Sequence, residues 1–229
     1  MDASATLGNG VVAICHDGPG TGRSERDVDV TTASGTDGSG TKASSDHDLL
    51  QVRINARLPS VQRGDRYEDP LAYWLEARFP GSRVTGGGTL RSPEGEPLSC
   101  GIDAAVVGDS DAILNGVVGF LVEQGAPRGS SATIVDGAYR PFGTAEGLAV
   151  YLDGTDLPAS VYAAHDVNEF FDQLHEAIAG TGALQAFWEG HDTTAVYVYG
   201  PSYDAMLTAA GPLLASHPLA EKARVLQIA

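Results

Sequence analysis

Gly86-Gly87-Gly88-Thr89 is the stretch whose composition first raises the question of chemistry. Three successive glycines in an extended segment cost chain entropy, so the bare backbone there serves a bulge, a sharp bend or a closely approaching group. A structural bulge is the favoured reading; a binding loop, whose backbone N–H groups donate to carbonyl or carboxylate oxygens, is the alternative. No lysine stands near enough to turn the glycines into a nucleotide loop.

Carboxylates form a second set. Glu146, Asp153, Asp156, Glu189 and Asp192 fall around the ends of extended segments in the C-terminal half. Shared acid and base work requires surroundings that separate two carboxyl pKa values. As solvated turn residues, or as a surface for a basic partner, the same groups need no such tuning. The imidazoles of His165, His175, His191 and His217 follow neither an i,i+4 pair nor a Cys/His spacing, so no metal is expected. No Gly-x-Ser-x-Gly elbow occurs, and Cys100 lies mid-strand, where a buried, inert thiol is the default. No cofactor is expected either.

Aromatic residues form the third set. Tyr197 and Tyr199 share one face of a strand while Val196 and Val198 share the other. One face belongs in a core, and the other, with Tyr151 and Trp188 nearby, is a candidate contact surface. Base stacking would use the same aromatics, but the basic residues and the signature of an RNA reader are missing. The candidate binding residues are therefore Gly86, Gly87, Gly88, Thr89, Glu146, Asp153, Trp188, Glu189, Asp192, Tyr197 and Tyr199. No catalytic residue is assigned.

The elements that must position these groups follow from hydrophobic period. Residues 148–152 read as a strand ending at Asp153-Gly154. Asp166 then caps a helix carrying Val167, Phe170, Phe171, Leu174 and Ile178, with Gly180 as its stop. Strands at 184–188 and 194–199 flank the hairpin loop 189–192. A helix starts at Pro201, and a last strand covers 223–228. Gly211-Pro212 falls inside that helix and predicts a kink or a break. The preceding half repeats the order. It has a strand alternating Leu50, Val52, Ile54, Ala56 and Leu58, and a helix from Asp69-Pro70 to Phe79. Strands follow at 84–90 and 98–107, then a helix from Asp109 to Gly125 and a strand at 131–135.

Both halves thus read strand, helix, strand, strand, helix, strand, the split βαβ order of a ferredoxin-like domain. The expected fold class is α+β: two tandem ferredoxin-like modules, 48–136 and 137–229, after a disordered leader at 1–47. That leader is dominated by Gly, Ser, Thr, Asp and Ala and buries too little apolar surface to offset its entropy. Each module's sheet has one open face, so the two faces are expected to bury each other, with a cleft between them as the pocket.

The chain has 229 residues, with 30 acidic against 14 basic side chains and a formal charge of -16. A phosphate backbone or an anionic membrane surface would be repelled, so neither nucleic acid nor membrane is an expected partner. The two cysteines provide no disulfide framework, and a reducing cytoplasmic setting fits best. No apolar run approaches the roughly 20 residues of a membrane helix. Nor is there a basic region preceding a signal peptide.

Several phrases carry a resemblance. They are Gly86-Gly87-Gly88-Thr89, Gly125-Ala126-Pro127-Arg128-Gly129-Ser130 and the run from Phe142-Gly143 through Glu146-Gly147-Leu148 to Asp153-Gly154. Asp166-Val167-Asn168-Glu169, Phe187-Trp188-Glu189-Gly190 and Tyr197-Val198-Tyr199-Gly200 belong with them. Together, over about residues 49–229, they resemble small bacterial proteins of an immunity type found beside polymorphic toxin systems. The resemblance implies inhibition of a cognate toxin by binding, without chemistry, and an acidic surface suits a basic toxin domain. The alternative is a small-molecule binder or enzyme of the ferredoxin-like monooxygenase type, using the cleft between the sheets.

Overall fold

Alternation along the first ordered strand decides which way its sheet faces. In β3 (Asp48–Ile54), Leu50, Val52 and Ile54 are buried while Leu49, Gln51 and Arg53 are exposed. The structure is a computed structural model that describes residues 5–7, 11–13, 47–135 and 137–229. In its N-terminal unit, residues 1–45, two short strands, β1 (Ala5–Leu7) and β2 (Val11–Ala13), pair antiparallel. Apart from them, the expectation of a disordered leader falls outside the described residues.

From Asp46 onward the chain forms a separate unit with the predicted order of elements. A helical stretch follows β3, as α1 (Ser60–Arg63), a π-type turn (Gly64–Glu68) and α2 (Asp69–Arg78). Next come β4 (Arg83–Arg91), β5 (Pro97–Val106), α3 (Ser110–Glu123) and β6 (Ser130–Ile134). A further strand, β7 (Tyr139–Phe142), leads to β8 (Glu146–Asp153), α4 (Ala159–Ala164) and α5 (Val167–Ala177). The chain closes through β9 (Ala183–Glu189), β10 (Thr193–Gly200), α6 (Tyr203–Ser216) and β11 (Arg224–Gln227).

Two antiparallel sheets result, with orders β4-β5-β3-β6-β7 and β11-β8-β10-β9. Leaving β7 aside, both place the module's first strand beside its third and fourth, the ferredoxin-like arrangement. Leu50, Val52, Ile54, Ile102 and Ala104 pack under α2 and α3 through Leu71, Leu75, Ile113, Leu114, Val117 and Leu121. In the second module Leu148, Val150, Leu152, Val196 and Val198 pack under Phe170, Phe171, Leu174 and Met206. Truncating one of those phenylalanines would cost about 3–5 kcal/mol.

Several local expectations are corrected. The first helix begins at Ser60, well before Asp69, because a π-type turn joins two helical pieces and brings Tyr67 into the core. A polar run such as 60–66 carries no apolar period to reveal this. The segment between the modules contains β7, paired with β6 from Tyr139↔Thr133 to Phe142↔Ser130. α6 runs through Pro212 without a break, and its N-cap is Ser202, whose Oγ accepts from the Ala205 N–H at 3.3 Å.

The expectation that both open faces bury each other holds for one sheet only. The second sheet's inner face, with Ala149, Tyr151, Ala186, Ala195, Tyr197 and Tyr199, joins the core of the first module. It meets the first module at Arg57 and Glu96, just beyond β3 and just before β5. Gln51 and Arg53 stay exposed, because charged and amide side chains line the outer face of β3.

Candidate functional site

Strand alternation sends Tyr151 of β8 and Tyr197 and Tyr199 of β10 to one face, with alanines between them. Tyr151 pairs with Ala195, and Tyr197 pairs with Ala149 and Ala186. Small residues opposite large ones leave room for two polar side chains from the first module. Glu96, in the turn before β5, accepts at Oε1 from the Tyr151 hydroxyl at 2.6 Å and the Tyr197 hydroxyl at 2.9 Å. Arg57, just beyond β3, pairs with the same carboxylate and donates from Nη1 to the Tyr151 hydroxyl at 2.8 Å. Its backbone N–H donates to the Tyr199 hydroxyl, also at 2.8 Å.

Electrostatics follow from this packing. Burial, reinforced by the Glu96 hydrogen bond, pushes the Tyr151 hydroxyl up to about 12. Burial and the Glu96 charge raise Tyr197 further, and burial raises Tyr199. All three phenols stay neutral at physiological pH; Tyr151 and Tyr197 donate to the fixed anion of Glu96, and Tyr199 accepts the Arg57 N–H. Tyr197 is fully buried and Tyr199 is 3 % exposed. The face expected to contact a partner is therefore interior, because two ionic side chains seal it. Trp188 is half-buried at the margin of the same core.

The glycine run lies on β4, at the edge of its sheet. Its pairing with β5 shifts between Val84 and Gly86, a bulge that leaves Thr85 without a partner. A Cβ on Gly87 would meet the Glu68 carboxylate at 2.9 Å and the Gly101 carbonyl at 3.0 Å, whereas Gly86 and Gly88 have open space. Glu68 is held over Gly87 by Arg63, 2.9 Å away, and Arg63 also donates to Thr89 Oγ1 at 3.0 Å. Thr89 in turn donates to the Leu58 carbonyl at 3.1 Å. The Gly-Gly-Gly-Thr stretch thus anchors the first helical segment to the sheet.

The carboxylates divide by role. Glu146 pairs with Arg128 at 2.5 Å and accepts the Tyr203 N–H at 2.6 Å, at the start of α6. Asp153 closes a turn, accepting the N–H groups of Thr155 at 2.9 Å and Asp156 at 2.6 Å. Those hydrogen bonds, Asp156 first, hold its carboxyl below the usual range. Glu189 and Asp192 are exposed in the β9–β10 hairpin, the latter 3.5 Å from His191. Asp153 also borders a surface cavity of about 600 Å³ with Tyr162, His165, Asp166 and Glu169. Among the described residues no three His, Cys, Asp or Glu side chains gather as a metal site. Cys100 is buried, its thiol 3.3 Å from the Ala56 carbonyl, and burial raises its pKa.

Two features escaped sequence reasoning. His165 and His217, 52 positions apart, meet edge to face at 5.4 Å, with Phe170 packed on His217 at 5.1 Å. His217 Nδ1 accepts the Leu219 N–H at 3.2 Å, and burial, then the neighbouring imidazole, lowers its pKa. The second feature is the Arg57–Glu96 pair. Only the alanines opposite the tyrosines hinted that something polar had to fill that face.

The chain is a tandem ferredoxin-like α+β protein. No family model and no curated protein matches it. Among solved structures it is similar to a "putative monooxygenase" of Fusobacterium nucleatum, at 9% identity and a TM-score of 0.27, covering 79% of this chain and 91% of that one. It is also similar to the regulatory subunit of aspartate kinase from Thermus thermophilus, at 14% identity and a TM-score of 0.24, covering 72% and 92%. A third similarity is to the first two RRM domains of a yeast poly(U) binding protein, at 12% identity and a TM-score of 0.22, covering 79% and 99%. Among the described residues no helix is long and apolar enough to cross a membrane.

Proposed function

We propose that this protein is an acidic binding protein of the immunity type, which occludes a basic toxin domain. The observation that supports this reading over a catalytic cleft is the sealed inner face. Tyr151, Tyr197 and Tyr199, the groups best suited to line a substrate chamber, are consumed by hydrogen bonds to Arg57 and Glu96. The exposed carboxylates of Asp166, Glu169, Glu189 and Asp192 remain available, on a chain of formal charge -16. Fixed anions at a surface attract a cationic cleft and accelerate encounter without any tuned pKa.

Coexpression with a basic toxin domain encoded beside this chain tests the reading. A stable complex on size-exclusion chromatography at low salt, weakened at high salt, is expected, together with loss of toxin activity. Failure to associate at low salt, or a small molecule retained by the purified chain and turned over by it, would overturn the proposal.

A further inference from the structure

Gln185 is the extra residue of a bulge in β9. Ala186 pairs with Tyr197 and Leu184 with Val198, which leaves Gln185 opposite nothing. Bulges re-aim side chains, and this one turns an amide inward, where it is 8 % exposed. Its Oε1 is buried without a hydrogen-bond partner. An orphaned buried acceptor costs stability, so such an atom calls for an occupant.

The cavity that Gln185 lines opens at one end of the sealed seam and measures about 370 Å³, within the range of small-ligand pockets. Arg66 lines the same cavity. Its guanidinium lies 5.5 Å from the centre of the Tyr67 ring and donates from Nη2 to the Gln124 carbonyl at 3.2 Å. Among the described residues it meets no carboxylate within ion-pair distance. On a strongly acidic chain, one cavity is thus lined by a positioned cation without an anion and by a residue whose buried acceptor has no donor. Tyr199 and Pro201 also border the space.

We propose that this cavity binds a small carboxylate that also bears an N–H or O–H donor, an amino or hydroxy acid. Its carboxylate meets Arg66, the geometry that guanidinium groups favour. Its amine or hydroxyl donates to Gln185 Oε1. The site is separate from the acidic surface assigned to a protein partner.

Calorimetry and thermal unfolding of the full chain with L-serine, L-lactate, acetate and inorganic phosphate test the assignment. Binding of serine or lactate in the millimolar range or tighter, at least tenfold stronger than acetate or phosphate, is expected, and the preferred member of the pair identifies the donor. Arg66→Met should weaken it about tenfold or more. Gln185→Leu should abolish the preference over acetate while raising the Tm of the unliganded chain by a few degrees, since an unpaired polar atom is removed. Equal binding of all four probes would reduce the site to a nonspecific anion contact. No binding at all would reduce the cavity to a place for a bridging water. Either result overturns the proposal, as does a Gln185→Leu chain that keeps the preference.

Discussion

Tyr197 and Glu96 lie 101 positions apart and share a 2.9 Å hydrogen bond across the boundary between the modules. Glu96 serves as the common acceptor for Tyr151, Tyr197 and Arg57, so a single carboxylate from one half organises the inner sheet of the other. The side chains of Arg57 and Glu96 are 20% and 16% exposed, sheltered enough for the pair to matter.

Glu96→Ala leaves two phenols and a guanidinium without their acceptor. We expect a loss of about 2–4 kcal/mol, read from urea unfolding, against about 1 kcal/mol for Glu96→Gln, which keeps an acceptor oxygen. Equal effects from the two variants would show that the carboxylate charge, and not the acceptor, carries the interaction.

Alkaline pH should dissolve the same network. The folded pKa of Tyr151 is raised from 10.0 to about 12, and those of Tyr197 and Tyr199 are also raised. Between the unfolded and folded values the folded state holds more protons. The stabilisation is therefore complete below pH 10 and is lost as pH rises through the folded values. Each tyrosine contributes a slope of roughly 1.4 kcal/mol per pH unit. Denaturant titrations from pH 8 to 12 check this, and Tyr151→Phe should make the decline shallower.

The three glycines are not equivalent. Gly87→Ala presses a methyl against the Glu68 carboxylate and the Gly101 carbonyl, and about 1–2 kcal/mol should be lost. Gly86→Ala and Gly88→Ala meet open space and should be neutral or stabilising by about 0.5–1 kcal/mol. Thermal unfolding of the three variants side by side distinguishes an anchoring role from a generic need for glycine.

Reversing the hairpin charges probes the proposed interaction. Glu189→Lys with Asp192→Lys should slow association with a basic toxin domain about tenfold at low salt and leave the Tm nearly unchanged. Stopped-flow association at several ionic strengths gives the answer, and an unaltered rate would remove this hairpin from the interface.

The repeated order of elements was legible because Leu50-Val52-Ile54 alternates with period two and Phe170-Phe171-Leu174 recurs with helical period. Caps and turns were legible too: Asp109 and Asp166 accept from Ala112 and Asn168, as their positions before apolar runs suggested. What sequence could not convey was which of two buried-looking faces meets what. Val196 and Val198 go beneath helices and Tyr197 and Tyr199 go beneath another module, yet both read as one continuous apolar strand. The partners of the tyrosines, Arg57 and Glu96, sit in polar stretches with no period, and their roles come from long-range contact alone. The bulge at Gln185 is equally silent, since one skipped residue alters pairing without altering composition.

β7 lies in the middle of the short connection between the modules. Four residues of that connection are stitched onto β6, and the Arg128 N–H donates to the Ala145 carbonyl at 2.8 Å just before β8 begins. Little slack is left for a hinge. A domain that swivels can adjust its two halves separately to a visitor, whereas here the orientation of one half is tied to the fate of the other. Unzipping that short strand would be the natural first step of any large rearrangement.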